Sequence, residues 1–247
     1  MKITFWGTSH GVPAHDRYCS CILLESGDSF YFIDAGAPAI DLIHRNHLDI
    51  NKFRALFTTH AHSDHTFGIP ALAELMNWYY KGSSADFYMT EQPLADAIIA
   101  LMYASDTRHP VDTERLRFKI ASTGAVYEDE NIKVEYFQTG HMSNAHPSYS
   151  ILVSEGEKKV LFSGDLSICL SRKDIPSVVF EDGVDAMVCE MAHFSLKDLT
   201  PYLERLKVKE LYFNHIYPIE KYNDIEGIKN SYPFAVYTPR DNDSYVI

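Results

Sequence analysis

Residues 59–65 read Thr59-His60-Ala61-His62-Ser63-Asp64-His65, and four of these seven side chains are of metal-binding types. The apolar run Ala55-Leu56-Phe57 just before them predicts a strand over Ala55–Thr59, so His60 stands where a stiff element ends. His60 and His62, two apart in an extended segment, can bend toward one ion. Asp64 and His65 then open a helix, from which they can face a second ion. Imidazole with carboxylate is a borderline-to-hard donor set that suits Zn, Mn or Fe.

The same arrangement recurs along the chain. Val134–Thr139 runs into Gly140-His141, Val160–Gly164 into Asp165, and Leu211–Asn214 into His215. Phe30–Ile33 ends at Asp34 and Met187–Cys189 at Glu190. Strands that deliver His, Asp and Glu from their ends make a good cradle, because a metal site needs a rigid scaffold to hold its donors in place. A carboxylate such as Asp165 can bridge two ions.

Around these motifs lies an ordinary globular composition. The 247 residues are 46% hydrophobic and 23% charged, with no repeat or low-complexity tract, and they read as one domain over 1–247. Further strands are expected at Lys2–Trp6, Cys19–Glu25, Ser29–Ile33, Asp86–Met89, Arg115–Ile120, Ile132–Gln138, Tyr149–Val153, Lys159–Phe162, Ala186–Cys189, Glu210–Phe213 and Tyr245–Ile247. Helical patterns cover Pro38–His47, Phe67–Tyr80, Gln92–Ala104, Leu196–Leu206 and Ile219–Lys229. Many strands with a handful of amphipathic helices predict an α/β (α+β) chain of sheets covered by helices, not a pure βαβ alternation.

The net charge of −12 disfavours extended nucleic-acid binding and anionic membranes. Met1–Trp6 lacks the features of a signal peptide, and no apolar run reaches the length of a membrane span. A cytoplasmic protein with four reduced cysteines is therefore expected. The sequence leaves a homodimer open.

His60-Ala61-His62-Ser63-Asp64-His65 resembles the HxHxDH signature of the metallo-β-lactamase-fold hydrolases. Thr66–Pro70 and the opening Gly7-Thr8-Ser9-His10-Gly11-Val12-Pro13, with Arg17 and Ser20, are similar to the branch holding the tRNA 3′-processing endonucleases (RNase Z) and related phosphodiesterases. Phe32–Gly36 and Phe162–Asp165 also look like that superfamily. The resemblance implies a four-layer αβ/βα sandwich with two divalent metal ions, zinc first, with Mn or Fe as alternatives. It assigns His60, His62 and His141 to the first ion, Asp64, His65 and His215 to the second, and Asp165 to both. His146 is the alternative third histidine, and Asp34 looks like an acid that orients the ligands. His193-Phe194-Ser195 partly matches the branch's His-Ser-Thr segment, which makes His193 a candidate proton donor beside the scissile phosphate. Cys19-Ser20-Cys21 faintly resembles a structural zinc segment of some phosphodiesterases; two cysteines of a buried strand, without a metal, is the preferred reading.

What these readings imply is a dinuclear hydrolase of phosphodiesters in which a metal-bridging hydroxide attacks and Asp64 helps to orient it. The expected substrate is a small molecule or short nucleotide phosphodiester. The protruding tRNA-gripping arm common in the tRNA-processing enzymes has no counterpart in this sequence. The alternatives are a lactone or thioester hydrolase on the same site, or a non-catalytic metal-binding module.

Overall fold

The computed structural model describes residues 1–105, 110–142, 146–171 and 173–247. Two seven-stranded sheets form the centre. The first contains β1 (Lys2–Gly7), β2 (Cys21–Ser26), β3 (Ser29–Ala35), β4 (Phe53–Phe57), β5 (Ala85–Met89) and β6 (Leu116–Ile120). The second contains β7 (Gly124–Glu128), β8 (Lys133–Gln138), β9 (Tyr149–Glu155), β10 (Lys158–Phe162), β11 (Val184–Met191), β12 (Val208–Ile216) and β13 (Ala235–Tyr237). The last strand, β14 (Ser244–Val246), crosses back to pair with β1 at the edge of the first sheet.

Side-chain alternation explains why the sheets stack. Along β3 every residue is buried, but Phe30 and Phe32 turn to one face and Tyr31 and Ile33 to the other. Tyr31 and Ile33 join Phe5, Phe57, Tyr136, Ile151, Val160, Phe162 and Tyr212 in an apolar layer between the two sheets. Phe30 and Phe32 meet the helices α1 (Ala39–Arg45), α3 (Ile69–Trp78) and α4 (Gln92–Ser105) through Leu42, Ile43, Leu72, Met76 and Ile98. On the far side, α5 (Val178–Glu181), α6 (Leu196–Leu203) and α7 (Lys221–Ile228) cover the second sheet through Val179, Leu199, Leu203 and Ile225. The order is helix, sheet, sheet, helix, as the sandwich expectation has it.

Each sheet is half antiparallel and half parallel. In the first, β1, β2 and β3 pair antiparallel and β3 to β6 pair parallel. In the second, β7 to β10 pair antiparallel and β10 to β13 parallel. Parallel strands share a carboxyl edge, and in α/β sheets ligands gather there. Here β3 and β4 bring their ends to the same region as β10, β11 and β12.

Four elements escape the sequence reading, one of them the three-residue 3₁₀ helix Ile50–Lys52. β7 and β13 are partly exposed strands at the two edges of the second sheet, and α5 is a four-residue helix; β13 and α5 are too short for a periodicity to emerge, and β7, only partly buried, lacks the apolar run that marks a core strand. One expectation is corrected: the second strand begins at Cys21, not Cys19. Cys19 instead makes an isolated bridge with Ser9, beyond a register shift at Cys21. No described helix is long and apolar enough to cross a membrane.

Candidate metal centre

The turn carrying the histidines is built around Asp34. This residue ends β3 in the left-handed region at φ 58°, and its buried carboxylate accepts hydrogen bonds from Thr59 N (2.7 Å), Thr59 Oγ1 (2.8 Å) and His65 Nδ1 (2.7 Å). One carboxylate thus ties the end of β4 to the short helix α2 (Ser63–Thr66). It also settles the His65 tautomer: with the proton on Nδ1, Nε2 presents a lone pair. Gly36 permits the close approach, because a Cβ there would lie 1.7 Å from the Asp64 carbonyl oxygen. Gly164 does the same before Asp165; its φ is 57° and a Cβ would come within 2.6 Å of the Tyr149 carbonyl oxygen.

Seven side chains converge. His60 Nε2 and His62 Nδ1 lie 3.0 Å apart, and His141 Nε2 is 3.3 Å from His62 Nδ1. His60 Nε2 and His141 Nε2 each stand 3.7 Å from Asp165 Oδ2. These four donors form one group. Asp64, His65 and His215 form a second. His65 Nε2 is 3.5 Å from Asp64 Oδ2 and 3.4 Å from Asp165 Oδ1, while His215 Nε2 is 3.7 Å from Asp64 Oδ2 and 3.4 Å from Asp165 Oδ2. Asp165 therefore touches both groups.

The spacings suit divalent ions. Four donors at zinc bond lengths of about 2.0–2.1 Å sit roughly 3.3–3.4 Å from one another in a tetrahedron. The buried atoms His65 Nε2 and Asp165 Oδ1 have no hydrogen-bond partner among the described residues. Orphaned polar atoms in a protein interior are costly, and a cation between them is the natural partner. The electrostatics agree. Burial holds the His60 imidazole well below its ordinary pKa, and the His65 imidazole adds to this, so His60 is neutral and free to donate. Burial opposes ionisation of Asp165, yet His215, His65 and His60 hold its carboxyl well below the usual range. Burial likewise disfavours a charged His65, but the Asp165 and Asp34 carboxylates outweigh it and raise that imidazole, so these anions favour a positive charge beside Nε2, for which a divalent ion competes with the proton.

Other sequence candidates fall into place around this centre. His146 pairs with Glu91 at 3.0 Å and belongs to neither group, whereas His141, at the end of β8, does. His193 lies beside the cluster with Nε2 3.8 Å from Asp165 Oδ2, and its ring centre is 4.5 Å from that of His141. Glu190 holds it: Oε1 accepts from His193 Nδ1 (2.9 Å) and Oε2 from the backbone of Ala192 (2.6 Å) and His193 (3.2 Å). Against the cost of burial, Glu190 raises the His193 pKa. Tyr217 stacks flat on His10 with ring centres 4.2 Å apart, and the His10 ring in turn lies 5.4 Å from that of His215. Phe194 is buried in the core under α6 and Tyr80 bonds His44 away from the centre, so neither lines it. Cys19 and Cys21 belong to neither metal-capable group among the described residues. Thr59, whose hydroxyl links Asp34 to the neighbourhood of His60 Nδ1 (3.1 Å), was not singled out by the sequence. A threonine before a ligand histidine carries no signal until Asp34 is placed beside it.

Residues 1–230 match the family model described as Anti-Pycsar protein Apyc1. The chain belongs to that family. Among curated proteins, this Apyc1-family chain is 28% identical to the Ribonuclease Z of Synechococcus sp. (strain WH7803) over 176 residues, covering 68% of this chain and 53% of that protein. The chain spans about half the length of the curated relatives it matches. Its architecture superposes on the metallo-β-lactamase fold protein YhfI from Bacillus subtilis with a TM-score of 0.77 at 17% identity, covering 99% of this chain and 98% of that one. Human tRNase Z, short form (ELAC1), gives 0.75 at 20% identity, covering 100% and 99%. The metallo-β-lactamase fold read from the HxHxDH motif, and the RNase Z-like kinship read from Thr66–Pro70 and the Gly7–Pro13 opening, thus agree with these likenesses.

Proposed function

We propose that this chain is a dinuclear metal-dependent phosphodiesterase acting on a small molecule or a short nucleotide. The observation that carries the reading is the pair of donor groups meeting at Asp165, with His193 at their edge. Divalent ions held there supply an activated water and positive charge for the phosphoryl oxygens. His60, His62 and His141 would hold the first ion and Asp64, His65 and His215 the second, with Asp165 within reach of both.

The chain's other groups position and move protons. Asp64 offers its second carboxylate oxygen to orient the attacking water. Glu190 accepts from His193 Nδ1, which aims Nε2 at the centre and leaves that atom to carry a proton to the departing alkoxide. A ribonuclease cleaves phosphodiesters by definition, so the Ribonuclease Z relatives support the bond type. The net charge of −12 favours a small diester over a long polyanion. Four free cysteines suit a reducing, cytoplasmic setting.

The test is a panel of substrates presented to metal-loaded protein: bis(p-nitrophenyl) phosphate, alkyl and nucleotide diesters, a lactone, a thioester and a β-lactam. Turnover of diesters, lost together with bound metal in His62→Ala, is the expected result. Turnover confined to the lactone or thioester, or diester cleavage by His62→Ala at the parent rate, refutes it.

A further inference from the structure

Lys221 opens α7, on the far side of the loop that carries His193. Its ammonium donates to three backbone carbonyls: Met191 O (2.9 Å), Ala192 O (2.9 Å) and Phe194 O (2.7 Å). An ammonium has three N–H groups, and all three are spent on one four-residue run. That run brackets His193. Its N–H side is held by the opposite charge, since Glu190 accepts from the backbone of both Ala192 and His193 as well as from the His193 ring. Glu190 is in turn tied to the bridging carboxylate's neighbour, accepting from Leu166 N at 2.9 Å. The loop therefore runs between an anion that collects its donors and a cation that collects its acceptors.

Such a clamp is more than loop closure requires. The segment joins β11 to α6, whose start is already capped by Ser195 and Asp198. A loop of this length is ordinarily satisfied by water at its carbonyls. Lys221 instead buries part of its charge to reach them, and burial pulls its pKa down. Its nearest effect is on His193, whose Nε2 faces Asp165.

We propose that Lys221 is a positioning residue that fixes His193 at the metal centre by gripping the carbonyls on either side of it. The inference rests on the reading of His193 as proton donor in diester cleavage. Its consequence depends on the leaving group. An alkoxide needs a proton as it departs, whereas p-nitrophenolate leaves well without one.

The experiment uses the full chain, metal-loaded, with Lys221→Met, His193→Ala and the double variant. Lys221→Gln, which keeps two donors, is a milder companion should Lys221→Met fold poorly. Each variant is assayed on an alkyl diester and on bis(p-nitrophenyl) phosphate, and backbone amide exchange is followed by mass spectrometry. For the alkyl diester, Lys221→Met is expected to lower kcat by at least about tenfold, within the range of a lost general acid, with KM nearly unchanged. The p-nitrophenyl diester should change by no more than about threefold, and Lys221→Gln should fall between parent and Met. In the His193→Ala background the Lys221 substitution should add nothing, because the two act as one unit. Amides of 191–195 should exchange faster while the sheets stay protected. Equal slowing on both diesters, full additivity with His193→Ala, or unchanged exchange at 191–195 overturns the proposal. If the parent cleaves no diester, it is the functional reading that fails, and the exchange measurement still decides the clamp.

Discussion

Replacing Asp34 by Asn tests how the centre is held without disturbing its shape. Among residues with a Cβ, asparagine and aspartate are both enriched in the left-handed backbone found here at φ 58°, so strain does not confound the result. The carboxylate accepts three bonds: Oδ1 takes Thr59 N, and Oδ2 takes both Thr59 Oγ1 and His65 Nδ1. An amide keeps one acceptor oxygen. If that oxygen stays with the fixed backbone donor of Thr59, the NH₂ group faces the hydroxyl and the imidazole. The hydroxyl can rotate and accept. His65 can accept only by moving its proton to Nε2, the atom that faces Asp64 and Asp165 at 3.5 and 3.4 Å. A protonated Nε2 cannot bind metal. Loss of such an orienting partner costs about 10–100-fold in metal affinity, or roughly 1.4–2.8 kcal/mol. The first group loses less, since His60 keeps the Thr59 hydroxyl beside its Nδ1. Titration calorimetry with zinc, backed by elemental analysis, should show two ions per chain in the parent. Asp34→Asn should show one tight ion and one weakened by that factor. Two ions bound at parental affinity would falsify this account of the His65 tautomer.

Two further outcomes follow from the same structure. Chelating the ions should lower the thermal midpoint by roughly 5–11 °C, from about 2.7 kcal/mol of linkage at a hundredfold excess over Kd and about 2–4 °C per kcal/mol for a chain this size; equal midpoints with and without chelator in scanning calorimetry would contradict it. At the far end of the sandwich, Asp129 accepts from Tyr31 Oη (2.7 Å), Tyr127 Oη (2.6 Å), Asn131 N and Ile132 N, and these bonds, against the opposing effect of burial, lower its pKa. A carboxyl depressed in the folded state contributes stability that is present above its unfolded pKa and is lost as pH falls through the folded value. Asp129→Asn should therefore be less stable than the parent at neutral pH, with the gap closing in acid; a gap constant with pH in urea titrations refutes the assignment.

Much of the site was legible because its donors are clustered in type and punctuated by strands. His60, His62, Asp64 and His65 lie within six residues, and His141, Asp165 and His215 each follow an apolar run. Both are short-range signals. The choice of His141 over His146 rested on nearness to the end of β8, and the structure shows the reason: His146 is five residues further on and is taken up by Glu91. Lys221 left no comparable trace. In the sequence it is one charge at the head of a helix, 28 positions from His193, and its three bonds to the 191–194 run exist only once the start of α7 lies against that loop.

The sequence alone determined most of the strands, through short apolar runs such as the one that buries both faces of β3, and the donor chemistry, through the density of His and Asp at strand ends. Tertiary structure decided the rest: the half-parallel order of each sheet, the return of β14 to β1, and the sharing of Asp165 by two donor groups. It also decided which carboxylate steers the His65 imidazole, since Asp34 lies 31 residues away in the chain. Periodicity and residue type are local properties of a chain. Pairings across 25 residues, as between Asp34 and Thr59, or 244, as between Lys2 and Val246, depend on which strands become neighbours, and that is settled by burying the layer between two sheets at once.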